Sequence, residues 1–148
     1  MTTIAYDHKN KMIACDSRVS SDGFIDTDKA IKYRKKGSDI WFMCGIYSDI
    51  DLFIGEFEHN EEQSKNIKCH GLLVRDYAAY KVCTDEGIYK LDRLLSSDGF
   101  GSGACYAITA IDLGRTAKQA VQYAMTRDCY SGGKIHVYNI KTGKFNKG

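Results

Sequence analysis

A threonine stands second in this 148-residue chain, in Met1-Thr2-Thr3-Ile4. Inside a chain a threonine hydroxyl is a poor nucleophile. At the first position it carries its own base, a free α-amine with a reference pKa of about 7.7–8.0. That amine can take the hydroxyl proton during attack. Thr2 is small, so an aminopeptidase is expected to remove Met1 and create this pairing. Other residues of chemical type have plain readings when taken singly. Asp16, after the apolar Ile13-Ala14-Cys15, reads as a turn carboxylate. Lys32, in a basic run with Arg34, Lys35 and Lys36, reads as a solvated strand end. Ser102 reads as a helix N-cap, and Ser131-Gly132-Gly133 as a helix stop. Gly99-x-Gly101-x-Gly103 resembles a phosphate loop, but it lacks the Lys-Ser/Thr ending.

Composition narrows the classes. A net charge of +2 with acids and bases interspersed gives no nucleic-acid footprint. No apolar stretch approaches the ~20 residues of a membrane span, and no basic-then-apolar start suggests a signal peptide. Six cysteines without a Cys-x-x-Cys pair indicate a reducing, cytoplasmic setting. The four histidines show no metal-ligand spacing, so neither metal nor cofactor is expected. The length fits a single domain over 1–148.

The elements that must position these residues follow from periodicity. Thr2–Tyr6 and Met12–Cys15 read as a hairpin. Ala30–Tyr33 reads as a short strand, and Ile40–Cys44 as a central one. Ser48 is expected to cap a helix whose stripe is Ile50, Phe53, Ile54 and Phe57. Cys69–Arg75 and Ala78–Cys83 form a hairpin around Asp76-Tyr77, and Ile88–Leu91 another strand. Asp98–Gly103 reads as a glycine-rich break before a helix from Ala104 to Leu113. Thr116 then starts a helix with Ala117, Ala120, Val121 and Ala124 on one face, and Ile135–Ile140 is the last strand. Strands and helices in blocks indicate an α+β fold. Thr2 and Asp16 differ by an even number, which is expected to turn both to one side of the first hairpin.

Four stretches together resemble the proteasome β-subunit and HslV-like family of N-terminal nucleophile (Ntn) hydrolases. They are Thr2-Thr3-Ile4; Ile13-Ala14-Cys15-Asp16-Ser17-Arg18-Val19-Ser20; Lys32 with Met43-Cys44-Gly45; and Gly101-Ser102-Gly103 with Arg127-Asp128-Cys129-Tyr130-Ser131-Gly132-Gly133. The resemblance implies a four-layer α-β-β-α sandwich. It implies Thr2 as nucleophile, Lys32 as a nearby positive charge held by Asp16, and the Gly45 N–H as oxyanion donor. Ser102, Asp128 and Ser131 would support the threonine. Val19, Ser20, Ala30, Arg34, Met43 and Tyr47 would line the substrate pocket, which Tyr47 narrows. It further implies a threonine peptidase acting on peptides or unfolded protein, a homo-oligomeric ring and an ATPase unfoldase partner. The link His59–Ile67 is too short for the family's second helix, so one helical layer is reduced. The stripe on the remaining helix then lacks part of its cover, which favours self-association. The alternatives are a catalytically silent binding or regulatory protein and a small-molecule amidohydrolase on the same fold.

Overall fold

The computed structural model describes residues 2–59 and 62–146. Two five-stranded antiparallel sheets carry the architecture. The first has the order β10-β1-β2-β11-β12, from Asp98–Gly101, Thr3–Asp7, Met12–Cys15, His136–Asn139 and Lys144–Phe145. The second has the order β5-β6-β7-β8-β9, from Tyr33–Lys36, Asp39–Gly45, Cys69–Arg75, Ala78–Asp85 and Ile88–Arg93. A separate ribbon pairs β3 (Val19–Ser21) with β4 (Phe24–Thr27). The helices are α1 (Ile50–Glu58), α2 (Ala104–Asp112) and α3 (Ala117–Arg127).

The layering follows from the two-residue period of a strand, which sends alternate side chains to opposite faces. On β1 and β2, Ile4, Tyr6, Ile13 and Cys15 enter the core between the sheets, where Phe42, Leu72 and Phe100 meet them. Ala5 and Ala14 point the other way, against Ala107, Ala117, Ala120 and Val121 of α2 and α3. Small side chains on both surfaces let these helices sit close to the strands. On β6 the same alternation puts Ile40, Phe42 and Cys44 between the sheets. Trp41 and Met43 point outward to Ile50, Phe53 and Ile54 of α1. The result is the expected α-β-β-α sandwich, with α1 alone on one outer face among the described residues. Tight two-residue turns join β3 to β4, β7 to β8 and β8 to β9. All three have positive φ at both central residues: Asp22-Gly23, Asp76-Tyr77 and Glu86-Gly87. That backbone matches the twist of the strands it connects. Thr116 opens α3 with a complete capping box to Gln119, a device worth ~1 kcal/mol.

Several expectations change. Ala30–Lys32 is not strand; its backbone bonds to Ser17 and Met43, and β5 begins at Tyr33. That break from the ladder lets Lys32 turn inward, and its side chain is buried rather than solvated. Ser48 caps nothing: it lies in a 3-10 turn, Tyr47–Asp49, and Asp49 precedes α1 without a side-chain cap bond. Asp98–Gly101 of the glycine-rich break is an edge strand paired with β1. The α1 stripe is covered within the chain: Ile50, Phe53 and Ile54 are buried. Phe57 packs edge-on to Trp41 and Tyr89. Of the His59–Ile67 link, Asn60 and Glu61 lie outside the described residues. Its later part is fastened to α1, since Ser64 N–H donates to Glu56 Oε1 (3.2 Å) and Tyr89 Oη–H to Oε2 (2.6 Å).

Candidate active site

The strand ends around Thr2 converge on one buried carboxylate. Asp16 leaves β2 just past Cys15 and is fully buried. Its Oδ1 accepts from Lys32 Nζ and from Thr3 N–H, both at 3.0 Å. Its Oδ2 accepts from Gly132 N–H (2.9 Å) and Arg18 N–H (3.3 Å). Lys32 is 2% exposed, so this is an ion pair removed from water. Such a pair is tolerated only when hydrogen bonds also satisfy the remaining lone pairs, and three backbone N–H groups do so here.

The parity expectation for Thr2 and Asp16 fails. The ladder pairs Ile4 with Cys15 and Ala5 with Ala14, because four residues separate Asp7 from Met12. Partners therefore sum to 19, and Thr3, not Thr2, lies across from Asp16. The Asp16 N–H accordingly donates to Thr3 O (3.2 Å). Thr3 faces the helices with Ala5. Thr2 faces the gap between the sheets, on the side of Ile4.

A second network anchors that helix-facing side. The Ser131 hydroxyl donates to Asp128 Oδ2 (2.6 Å), as does the Ser102 hydroxyl (2.5 Å). Ser131 has one proton, so the Thr3 hydroxyl must donate to Ser131 Oγ (2.6 Å). Tyr130 N–H donates to Asp128 Oδ1 (3.1 Å). Ser102 Oγ also lies 3.5 Å from the Thr2 carbonyl oxygen. Ser102 is not the cap of α2: Gly103 holds the N-cap position, and the Ser102 hydroxyl is spent on Asp128.

Thr2 opens onto a cavity of about 470 Å³. Lys32 and Gly45 line it with Thr2, and so do Val19, Ser20, Met43 and Tyr47 of the expected pocket. Two expected pocket residues do not. Ala30 is buried behind it, its N–H on Ser17 O. Arg34 turns away to Asp51 (2.9 Å) and to the Ile31 and Tyr33 carbonyls, its guanidinium over the Tyr47 ring. Gly45 has φ +115°, and a Cβ there would fall 2.0 Å from Lys68 O, so no other residue fits. Cys15 and Cys44 flank the site on β2 and β6. Burial pushes both thiols up to about 12, so neither offers a thiolate near neutrality.

Arg18 was not singled out in the sequence. Its guanidinium grips Asp28 through two bonds (2.8 and 3.0 Å) and donates to Cys129 O (3.0 Å). It lies against Gly132, where a Cβ would come 2.4 Å from Arg18 Cζ. Arg18 therefore clamps the loop whose Gly132 N–H holds Asp16. Thr3 was also missed as a hydrogen-bonding residue.

Gly101 gives a test of this packing. Its φ is +89°, and a Cβ there would lie 1.9 Å from Thr2 O. Gly101→Ala is expected to displace the Thr2 backbone, lowering any Thr2-dependent turnover tenfold or more. Strain and overpacking should cost about 1–3 kcal/mol in thermal unfolding. Gly114→Ala is the control: its φ is also +89°, but nothing lies within 4 Å. Equal effects of the two on turnover would show that Gly101 does not shape the site.

No protein-family model and no curated protein matches the sequence. Solved structures do match. Eukaryotic HslV from Trypanosoma brucei superposes with a TM-score of 0.74 at 15% identity, covering 92% of this chain and 97% of that one. The fold is that of the proteasome-like Ntn hydrolases. BPH from Thiobacillus denitrificans, in complex with epoxomicin, gives a TM-score of 0.71 at 15% identity, covering 93% and 97%. Another structure of that BPH gives 0.67 at 16% identity. The proteasome-like fold thus spans more than nine-tenths of the chain.

Proposed function

We propose that this chain is a threonine peptidase whose nucleophile is the Thr2 hydroxyl, freed by removal of Met1. Met1 itself lies outside the described residues. The observation that carries the reading is the buried Asp16–Lys32 ion pair, with Lys32 lining the same cavity as Thr2 and Gly45. A lysine is expensive to bury. Its position supports a role beside a developing negative charge, where a fixed cation stabilises an alkoxide and favours the neutral amine.

In this reading the Thr2 amine takes the Oγ proton as Oγ attacks the carbonyl carbon. The Gly45 N–H stabilises the oxyanion. The amine then passes its proton to the departing nitrogen, and the C–N bond breaks to leave an ester on Oγ. Water, deprotonated by the same amine, attacks the ester and restores Thr2. Ser102, Asp128 and Ser131 hold the first strand in place through Thr3. The substrate class is peptide or unfolded protein.

The test is the intact mass of active protein, followed by labelling with a threonine-reactive electrophile. Loss of Met1 and one adduct per chain, mapped to Thr2, are expected. Turnover by protein that keeps Met1 would overturn the mechanism.

A homo-oligomer is proposed with it. The α1 stripe gives no support, being covered, but Phe24 and Ile25 on the β3–β4 ribbon are 75% and 55% exposed. Large apolar side chains at such exposure, one on each face of the ribbon, favour an interface. Light scattering is expected to give a multiple of 16.6 kDa; a clean monomer mass would remove the ring and favour a small-amide substrate.

A further inference from the structure

The cavity beside Thr2 has three side chains in its wall that are charged near neutrality: Arg18, Asp26 and Lys32. Two are already neutralised. Arg18 is paired with Asp28 at 2.8 Å and Lys32 with Asp16 at 3.0 Å. Asp26, on β4, has no cation within ion-pair distance among the described residues. Among the described residues its carboxylate accepts only from the Ser21 hydroxyl, at 3.0 and 2.8 Å across the ribbon. Among the described side chains, the wall with its paired partners therefore carries one uncompensated negative charge. It sits on an exposed strand of the ribbon. The rest of the wall is mainly apolar: Val19, Ile46 and Tyr47 give accessible apolar surface over buried Met43 and Ile50, with the hydroxyls of Ser20 and Ser48 among them. An apolar wall with one carboxylate suits a long aliphatic stem ending in a cation, since lysine and arginine bury their methylenes and keep the charged head at a polar partner. A glutamate or aspartate side chain would meet like charge. A leucine would fill the apolar part and leave the carboxylate unused.

We propose that Asp26 is a specificity-determining residue that selects substrates presenting a lysine or arginine side chain to the cavity beside Thr2. This rests on the peptidase reading above and deepens it.

Peptide amides differing only at the residue before the scissile bond (arginine, lysine, leucine or glutamate) test it. The wild-type protein is expected to cleave the basic peptides with kcat/KM about tenfold to a hundredfold above leucine, the scale of one charge-assisted hydrogen bond. Glutamate should be poorest. Asp26→Asn should bring the arginine-to-leucine ratio to within about threefold, and Asp26→Lys should reverse it in favour of glutamate, as expected when like charge replaces opposite charge. Equal cleavage of arginine and leucine peptides, or an unchanged ratio in Asp26→Asn, would overturn the proposal. If no peptide of any kind is cleaved, the Thr2 reading fails. The preference is then read by titration calorimetry of the arginine and leucine peptides with the Thr2→Ala protein. Tighter arginine binding that is lost when Asp26→Asn is added supports the proposal, and equal affinity overturns it.

Discussion

Replacing Thr2 by alanine is expected to abolish peptide hydrolysis and covalent labelling while leaving the protein folded. The substitution removes Oγ, the only protein atom in the proposed mechanism that bonds to substrate carbon. Nucleophile deletions in hydrolases with a comparable division of labour cost about four orders of magnitude or more in kcat. Little structure should be lost. Thr2 precedes β1, and the bonds that fix this strand to the helix-facing side come from Thr3, through Asp16 and Ser131. The melting temperature of Thr2→Ala should therefore stay within a few degrees of the wild type. Thr2→Ser restores a hydroxyl and should restore measurable turnover. Hydrolysis by Thr2→Ala above one-hundredth of the wild-type rate would move the nucleophile elsewhere.

Lys32→Met should reduce turnover a hundredfold or more, the scale for loss of one preorganised electrostatic group. Methionine keeps much of the lysine stem, so the packing change is small and the charge change dominates. It leaves Asp16 buried without its cation, still held by the Thr3, Gly132 and Arg18 N–H groups. Breaking a buried pair from one side costs ~3–5 kcal/mol, so the variant should also melt lower. The two effects separate if turnover is measured well below that melting point. Asp16→Asn makes the reciprocal test: Lys32 loses its anion, and an amide nitrogen is set among N–H donors. If Lys32→Met, folded at the assay temperature, keeps near-normal turnover, Lys32 has no catalytic part.

What the sequence conveyed, and what it did not, follows from the range of the interactions. The alternation of Ile4, Ala5 and Tyr6, and the Ala117–Ala124 face of α3, reflect local periods and were legible. The two-residue turn at Asp76-Tyr77 was placed between the right strands. Lys32 was readable only through the family resemblance, because by composition it belongs to a solvated basic run. Its burial depends on Asp16, sixteen residues away, and on a local break from the ladder that no period encodes. Arg18 was missed because its partners, Asp28 across the base of the ribbon and the distant Cys129–Gly132 loop, meet it only in the folded chain. The orientation of Thr2 was misjudged because parity across a hairpin depends on its connection, and four residues lie between Asp7 and Met12. The β3–β4 ribbon left little trace in the sequence, since Val19–Ser21 and Phe24–Thr27 are too short and too exposed to show an alternating pattern.

Trp41 is the chain's only tryptophan. It is fully buried between β6 and α1, and its indole Nε1 has no hydrogen-bond partner among the described residues. A buried indole without an acceptor emits at short wavelength, and its fluorescence moves to the red when the surrounding layer opens. The protein therefore carries an internal optical label on the outer face of the second sheet. The sheet itself separates that label from Thr2. A variant altered at Thr2, Lys32 or Asp26 that keeps the blue emission has kept the α1 layer intact, so one spectrum can distinguish a change at the cavity from collapse of the sandwich.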